Sequence, residues 1–287
     1  MILTHYRSAT DFLARARADL ERREAANNLM LGIAIRLAEH PDRIKTLPYL
    51  ATVEREGGLL AAAVMTPPHR VIICGESADT VPLRLIADDL IAGGWTAPGA
   101  IGPAAAAHAF SQVWTAVHGG RFRLHTHEQV YELRQVTPPT GVPGALRVAT
   151  ETDFDLVAQW MFAFTQDARL DGTVESTREM TSLRIDDRDM FLWDVGRPVS
   201  MVAKSRRTPH GTAIGPVYTP PEFRRRGYAG ALVAALSQQL LDAGWEFCAL
   251  FTDLANPTSN SVYQKIGYRP VCDFDEYVFE QSATATG

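Results

Sequence analysis

Thr219-Pro-Pro-Glu-Phe-Arg-Arg-Arg-Gly-Tyr-Ala-Gly-Ala231 joins an apolar strand ending at Tyr218 to a helix through an arginine-glycine turn, and it says more about this chain than any other stretch. Gly227 can take a positive φ and let backbone come close to a ligand, while Ala229 and Gly230 keep the first helical turn free of bulk. Several N–H groups can then point at one anion, and the helix adds the positive end of its dipole. Arg224, Arg225 and Arg226 place side-chain charge at the mouth of the same cradle, where guanidinium groups pair with phosphate oxygens. The junction suits a diphosphate. Alone, Arg-Arg-Arg-Gly also describes a solvated surface turn, so the surroundings must choose.

The helix predicted from Tyr228 to Ala243 is small and apolar, with Leu232, Leu236 and Leu240 at four-residue spacing and Gly244 as a C-terminal stop. A strand follows from Phe247 to Thr252. Strand, turn, helix and strand could also hold a nucleotide, but neither GxGxxG nor GxxxxGK[ST] occurs in this segment. Next comes Asn256-Pro-Thr-Ser-Asn-Ser-Val-Tyr-Gln-Lys-Ile-Gly-Tyr268, which opens with a good helix cap and a proline in the first helical position. Asn256, Ser259 and Tyr263 share one face of this short helix, and Val262 and Ile266 share another that packs on a sheet. Tyr263 alone would read as an amphipathic anchor to the core.

Together the two blocks resemble the Gcn5-related N-acetyltransferase (GNAT) family. Its phosphate motif, [Q/R]-x-x-G-x-[G/A], is matched by Arg224, Gly227 and Ala229, and its downstream pattern by Asn256, Ser259, Tyr263, Lys265, Gly267 and Tyr268. The resemblance runs from about Leu146 to Phe279 and is closest over 215–271. It implies an acetyl-CoA site. Backbone groups of Val217, Tyr218 and Thr219 would meet the pantetheine arm, and Arg224, Arg225, Arg226, Gly227, Tyr228, Ala229 and Gly230 would hold the pyrophosphate. Asn256 and Ser259 would line the cofactor where the central strands part. Tyr263 would be the general acid for the departing thiolate, which fits a phenol of pKa ~10 beside a thiol of ~8.5.

The implied reaction is direct attack of a primary amine on the thioester in a ternary complex. An alkylamine with a pKa of ~10.4 must first lose a proton. Many family members carry a glutamate on the strand before the phosphate turn, but here that strand, Thr212-Ala-Ile-Gly-Pro-Val-Tyr-Thr219, carries no acid. Asp253, Glu222 and His210 are the weaker candidates for the base. An acyl-CoA sensor without turnover is the competing reading, and the missing glutamate motivates it.

Composition narrows the class further. The chain has 287 residues, 46% of them hydrophobic, and a net charge of -5. That length suggests two domains, each with a full core. The acidity argues against a general nucleic-acid binder despite the arginine run. Three cysteines fit a reducing cytoplasm, and Cys74, Cys248 and Cys272 sit in apolar runs where a thiol acts as a small buried hydrophobe. No signal-like N-terminus and no stretch of about 18 apolar residues indicates export or a membrane span. Histidines cluster only at His118, His125 and His127, without a metal-binding pattern, so no metal is expected.

Thr137-Pro-Pro-Thr-Gly-Val-Pro-Gly144 reads as a linker, giving an N-terminal domain over 1–137, a linker over 138–145 and a catalytic domain over 146–287. Within the latter, helices are predicted at Phe154 to Asp167 and Ser176 to Arg184, and strands at Leu146 to Ala149, Met190 to Val195 and Val199 to Arg206. The N-terminal part shows a fainter copy of the same order. Its helices run from Ala9 to Arg23, Asn27 to Ala38, Val81 to Ile91 and Ala104 to Val117, and its strands from Tyr49 to Arg55, Leu59 to Met65, Arg70 to Cys74 and Arg121 to Val136. Where the phosphate turn should be stands Cys74-Gly-Glu-Ser-Ala-Asp-Thr80, acidic and without arginine, as in a degenerate repeat. The fold class expected is α/β (α+β), two GNAT-like domains, each a mixed, mostly antiparallel sheet flanked by helices. The first copy could wall the acceptor cleft, mediate a homodimer or only stabilise the other half. The acceptor is open, a small-molecule or peptide amine. Asp153, Asp155, Asp167, Asp171, Glu175, Glu179, Asp186, Asp187 and Asp189 around the early helices could favour a cationic one.

Overall fold

The structure is a computed structural model that describes residues 1–43, 46–56, 58–75, 79–168, 170 and 172–280. Asp171 and the middle of the acidic turn after Gly75 lie outside the described residues. The N-terminal half runs β1 (Ile2–His5), α1 (Ala9–Glu21), α2 (Asn28–Glu39), β2 (Tyr49–Arg55), β3 (Gly58–Met65), β4 (Val71–Gly75), α3 (Val81–Ala92), β5 (Gly99–Pro103), α4 (Ala104–His118) and β6 (Arg121–Leu133). The C-terminal half repeats that order. It runs β7 (Ala145–Val148), α5 (Phe154–Asp167), α6 (Val174–Asp186), β8 (Met190–Asp194), β9 (Pro198–Arg207), β10 (Gly211–Tyr218), α7 (Tyr228–Asp242), β11 (Phe247–Asp253), α8 (Pro257–Lys265) and β12 (Arg269–Glu280). Thus β4-α3-β5-α4-β6 answers to β10-α7-β11-α8-β12.

The chain folds as two compact units. The first holds Met1–Val130, Thr252–Ala255 and the strand β12 from Pro270; the second holds Tyr131–Phe251 and Asn256–Arg269. The expected 146–287 span therefore does not fold as one block. Residues 270–280 belong to the first unit because β12 hydrogen-bonds antiparallel to β5, Phe274 opposite Pro103 through Val278 opposite Gly99. Conversely, the last residues of β6, 131–133, belong to the second.

In the first unit the strand order is β1-β2-β3-β4-β5-β12-β6. The pairs from β1 to β4 are antiparallel, and β4–β5 is parallel. Successive residues of a strand face opposite sides, so one sheet supplies two cores. Leu50, Ala62, Val64 and Ile72 pack under Phe12, Leu20, Met30 and Leu31 of α1 and α2. Tyr49, Val53, Ala63, Val71 and Ile73 meet Leu83, Ile86, Leu90, Phe110 and Trp114 of α3 and α4 on the other face. Each such fully buried aliphatic or aromatic side chain contributes roughly 1.5–3 kcal/mol, before the entropy of ordering it.

The second unit follows the same plan, with β11-β10-β9-β8-β7 and the end of β6 beside β11. Its β7–β8, β8–β9 and β9–β10 pairs are antiparallel and β10–β11 is parallel. Val157, Trp160, Met161 and Ile185 of α5 and α6 cover Met190, Leu192, Met201 and Ala203. On the opposite face Leu232, Leu236 and Leu240, the stripe read from the sequence, join Tyr263 and Ile266 over Ile214, Cys248 and Leu250. Entry to α5 is fixed by Arg147, which clasps both carboxylate oxygens of Asp153 at 2.7 and 2.8 Å and reaches Asp194 at 2.8 Å. Each unit is thus a mixed, mostly antiparallel sheet with helices on both faces.

Two short strands escaped the sequence reading. Ile2–His5 is one. The other, Gly-Ala-Ile-Gly-Pro over 99–103, has glycines where β-branched residues usually mark a strand. A Cβ on Gly99 would lie 2.0 Å from the Tyr277 carbonyl oxygen, and one on Gly102 would lie 2.1 Å from that of Ile73. Close backbone approach removes the side chains that would have announced the strand. Burial pushes the Cys74 and Cys248 thiols up to about 12, as inert core residues require, whereas Cys272 on β12 is only half-buried.

Candidate functional site

The second unit opens where its two parallel strands part. β10 and β11 pair through Gly211–Phe247, Thr212–Cys248 and Ala213–Ala249, and β10 then runs five residues further without continuing that ladder among the described residues. Gly211 starts the pairing because a Cβ there would sit 2.2 Å from the Phe247 ring. Pro216 has no N–H to give a ladder, and the register against β9 shifts on both sides of Ile214. Val217, Tyr218 and Thr219 are thereby placed at the open end. The Tyr218 carbonyl accepts from Ser200 Oγ at 3.0 Å and the Thr219 carbonyl from Arg224 Nε at 2.9 Å.

A single turn of 3-10 helix, Pro221–Phe223, leads into the arginine run. Arg224 is extended, Arg225 takes a positive φ of 62° and Gly227 one of 83°. These two left-handed residues fold the chain back so that Gly227 becomes the cap of α7 with no side chain over the helix end. The first rung of α7 is the Ala231 amide to the Gly227 carbonyl at 3.0 Å, so the amides of Tyr228, Ala229 and Gly230 precede the ladder and lead its positive end. A Cβ on Gly227 would meet Val142 Cγ2 at 2.9 Å, and one on Gly230 would meet Val262 Cγ1 at 3.3 Å. Tyr228 points into the core instead of the cradle. Arg225 and Arg226 are exposed, and Arg226 Nη2 donates to the Glu222 carbonyl at 3.1 Å. Arg224 is tied at three points: to Thr219, to Asp167 Oδ2 at 2.6 Å and over the Tyr218 ring at 5.8 Å.

Helix α8 brings the remaining predicted residues. Asn256 Oδ1 accepts the Ser259 amide at 3.1 Å, which caps the helix as its sequence foretold. Tyr263, one turn beyond Ser259, is buried and edge-on to Tyr268 at 6.1 Å. Tyr268 is itself held by a 2.9 Å hydrogen bond with Ser237. Burial alone pushes the Tyr263 phenol up to about 12, so it keeps its proton throughout the neutral range.

Residues 194–278 match the FR47-like protein family. Solved structures resemble the whole chain. An acetyltransferase of the GNAT family from Colwellia psychrerythraea aligns over 98% of this chain and 100% of its own at TM-score 0.58 and 11% identity. A GCN5-related N-acetyltransferase from Sphaerobacter thermophilus aligns over 99% and 98% at 0.58 and 16%. A tandem GNAT protein from the clavulanic acid biosynthesis pathway aligns over 96% and 97% at 0.53 and 12%. The fold is that of the GNAT proteins. No curated protein sequence matches the chain.

On this GNAT scaffold β10 carries no carboxylate, and the substitutes named from sequence sit on other segments. Asp253 Oδ1 caps the Ala255 amide at 2.7 Å, and Glu222 lies exposed in its turn. His210 sits in the β9–β10 connection, its carbonyl accepting from the Glu246 amide. The acidic early helices are also less available to a cationic ligand than their count suggested. Asp153 binds Arg147, Asp155 binds Arg178, Asp167 binds Arg224 and Asp189 binds Lys204. His118 stacks on Trp114 and His127 bonds Asp275, and among the described residues no three His, Cys, Asp or Glu side chains converge on a metal position. The sequence reading missed Ser200, which secures the end of β10, and Val142, which closes against Gly227; no motif marks either.

Proposed function

We propose that this protein is an N-acetyltransferase that moves an acetyl group from acetyl-CoA to a primary amine, with its donor site in the second unit. The observation that carries the reading is the left-handed Gly227 cap of α7, set at the end of a strand that has left its parallel partner. A diphosphate fits the amides of Tyr228, Ala229 and Gly230 together with Arg224, Arg225 and Arg226. Val217, Tyr218 and Thr219 present backbone groups to the pantetheine amides, and Asn256 and Ser259 line the parting of the strands.

Tyr263 is the general acid. A phenol raised to about 12 is a poor donor to an ordinary thiolate of ~8.5, but desolvation raises both groups. A thiolate held in the same dry surroundings is raised in its turn, which narrows the gap and lets the phenol pass its proton. The amine gives up its proton through water, because β10 supplies no carboxylate. The acceptor is a small molecule or peptide, and α5 and α6 form its wall. Three cysteines free of disulfides and a thioester donor suit the cytoplasm. Among the described residues no helix is long and apolar enough to cross a membrane.

The carboxylate-free β10 favours a second reading, a sensor that binds acyl-CoA without turnover. Release of free thiol from acetyl-CoA, followed across a panel of primary amines, separates the two. Turnover with at least one amine is expected; donor binding with no thiol release from any would leave only the sensor.

A further inference from the structure

Arg224 and Asp167 meet at 2.6 Å, with about half of each side chain exposed. Asp167 is the last residue of α5. A carboxylate there opposes the helix dipole, so it does not stabilise the helix that carries it. Nor is the guanidinium free to swing between partners, since its Nε is fixed to the Thr219 carbonyl at 2.9 Å and its plane lies over the Tyr218 ring. An anion gripped by the remaining Nη donors of Arg224 must therefore come in beside the carboxylate of Asp167, which already occupies Nη2. Two anions on one guanidinium repel, and an exposed pair is weak enough to be exchanged.

We infer that Asp167 competes with the diphosphate of the donor for Arg224, and that this competition speeds the release of CoA after each transfer. The inference rests on the donor site proposed above. CoA keeps the diphosphate after losing its acetyl group, so a cradle that only attracted anions would hold the product as firmly as the substrate. A carboxylate that retakes the guanidinium lowers the affinity for both and shortens the stay of the product. Asp167 is thus a positioning residue that acts through Arg224, without touching the thioester.

The test is the rate of CoA dissociation, measured by stopped-flow displacement on the full chain. Asp167→Asn should slow dissociation and tighten binding by about two- to fivefold at low ionic strength, the range of exposed pairs, and the gain should shrink in high salt. Asp167→Glu should behave like the natural protein. In an Arg224→Gln background Asp167→Asn should add nothing, and S-acetylpantetheine, which has no diphosphate, should have the same KM with either residue. Unchanged or faster dissociation from Asp167→Asn, or an equal gain without Arg224, overturns the inference while leaving the donor site standing. Failure of the natural protein to bind CoA overturns both.

Discussion

The two units differ most instructively where each sends a strand into its third-layer helix, β4 into α3 and β10 into α7. In the second unit Gly227 caps α7 with no side chain, and the amides of Tyr228, Ala229 and Gly230 precede its ladder. In the first, the Asp79 carboxylate accepts the Val81 amide at 3.0 Å, and Pro82 removes the next N–H. That helix end is filled by an anion of its own, and a diphosphate would find one amide taken, one missing and a negative charge in place. On the proposed reading, a handful of turn residues decides whether this scaffold takes a donor, with the cores beneath nearly alike in plan.

The sharpest way to break this contrast is Tyr263→Phe. It should lower kcat by about 10²–10⁴-fold, the usual range for losing a general acid, with the Kd for acetyl-CoA unchanged in calorimetry. Since the phenol stays protonated up to about 12, no fall in kcat below about pH 11 should trace to Tyr263. Next, Gly227→Val forces a left-handed β-branched residue into Val142 and should weaken donor binding about thirtyfold, roughly 2 kcal/mol. Circular dichroism should show both units still folded.

Gly227 and Tyr263 stand out as candidates from the sequence alone, and it is clear why. Both lie in motifs of fixed spacing on amphipathic helices, so the motif and the helix pattern point to the same positions. The helices came out within a residue or two for the same reason, Phe154–Asp167 to the residue. β5 did not, because its glycines are demanded by neighbouring carbonyls far away in sequence. The transfer of β12 to the first unit was equally hidden: nothing in the sequence of 269–280 names β5 as its partner. Nor could charge counting show that Asp153, Asp155, Asp167 and Asp189 had cationic partners.

Smaller effects sharpen the structural side of the comparison. α5 enters through the Arg147–Asp153 clasp, whereas α1 enters through a simple Ser8 cap on the Asp11 amide at 3.1 Å. The clasp and the Thr150 amide hold the Asp153 carboxyl down at about 2. A depressed carboxyl stabilises the fold above its unfolded pKa, so this contribution of about 2 kcal/mol is complete above pH ~4 and lost as pH falls towards 2. Asp153→Asn should cost that amount in urea unfolding at neutral pH, and its deficit should vanish near pH 2. Asp79→Ala should cost least, about 0.5 kcal/mol for one exposed side chain–backbone hydrogen bond, and should confer no donor binding on the first unit because Pro82 and the missing arginines remain.

The central claim, one donor site and that one in the second unit, is tested most directly by calorimetric titration with acetyl-CoA of the natural chain beside Gly227→Val. One equivalent bound by the natural chain, at an affinity cut about thirtyfold in the variant, is the predicted result. Two equivalents, or one whose affinity the substitution leaves intact, would contradict it.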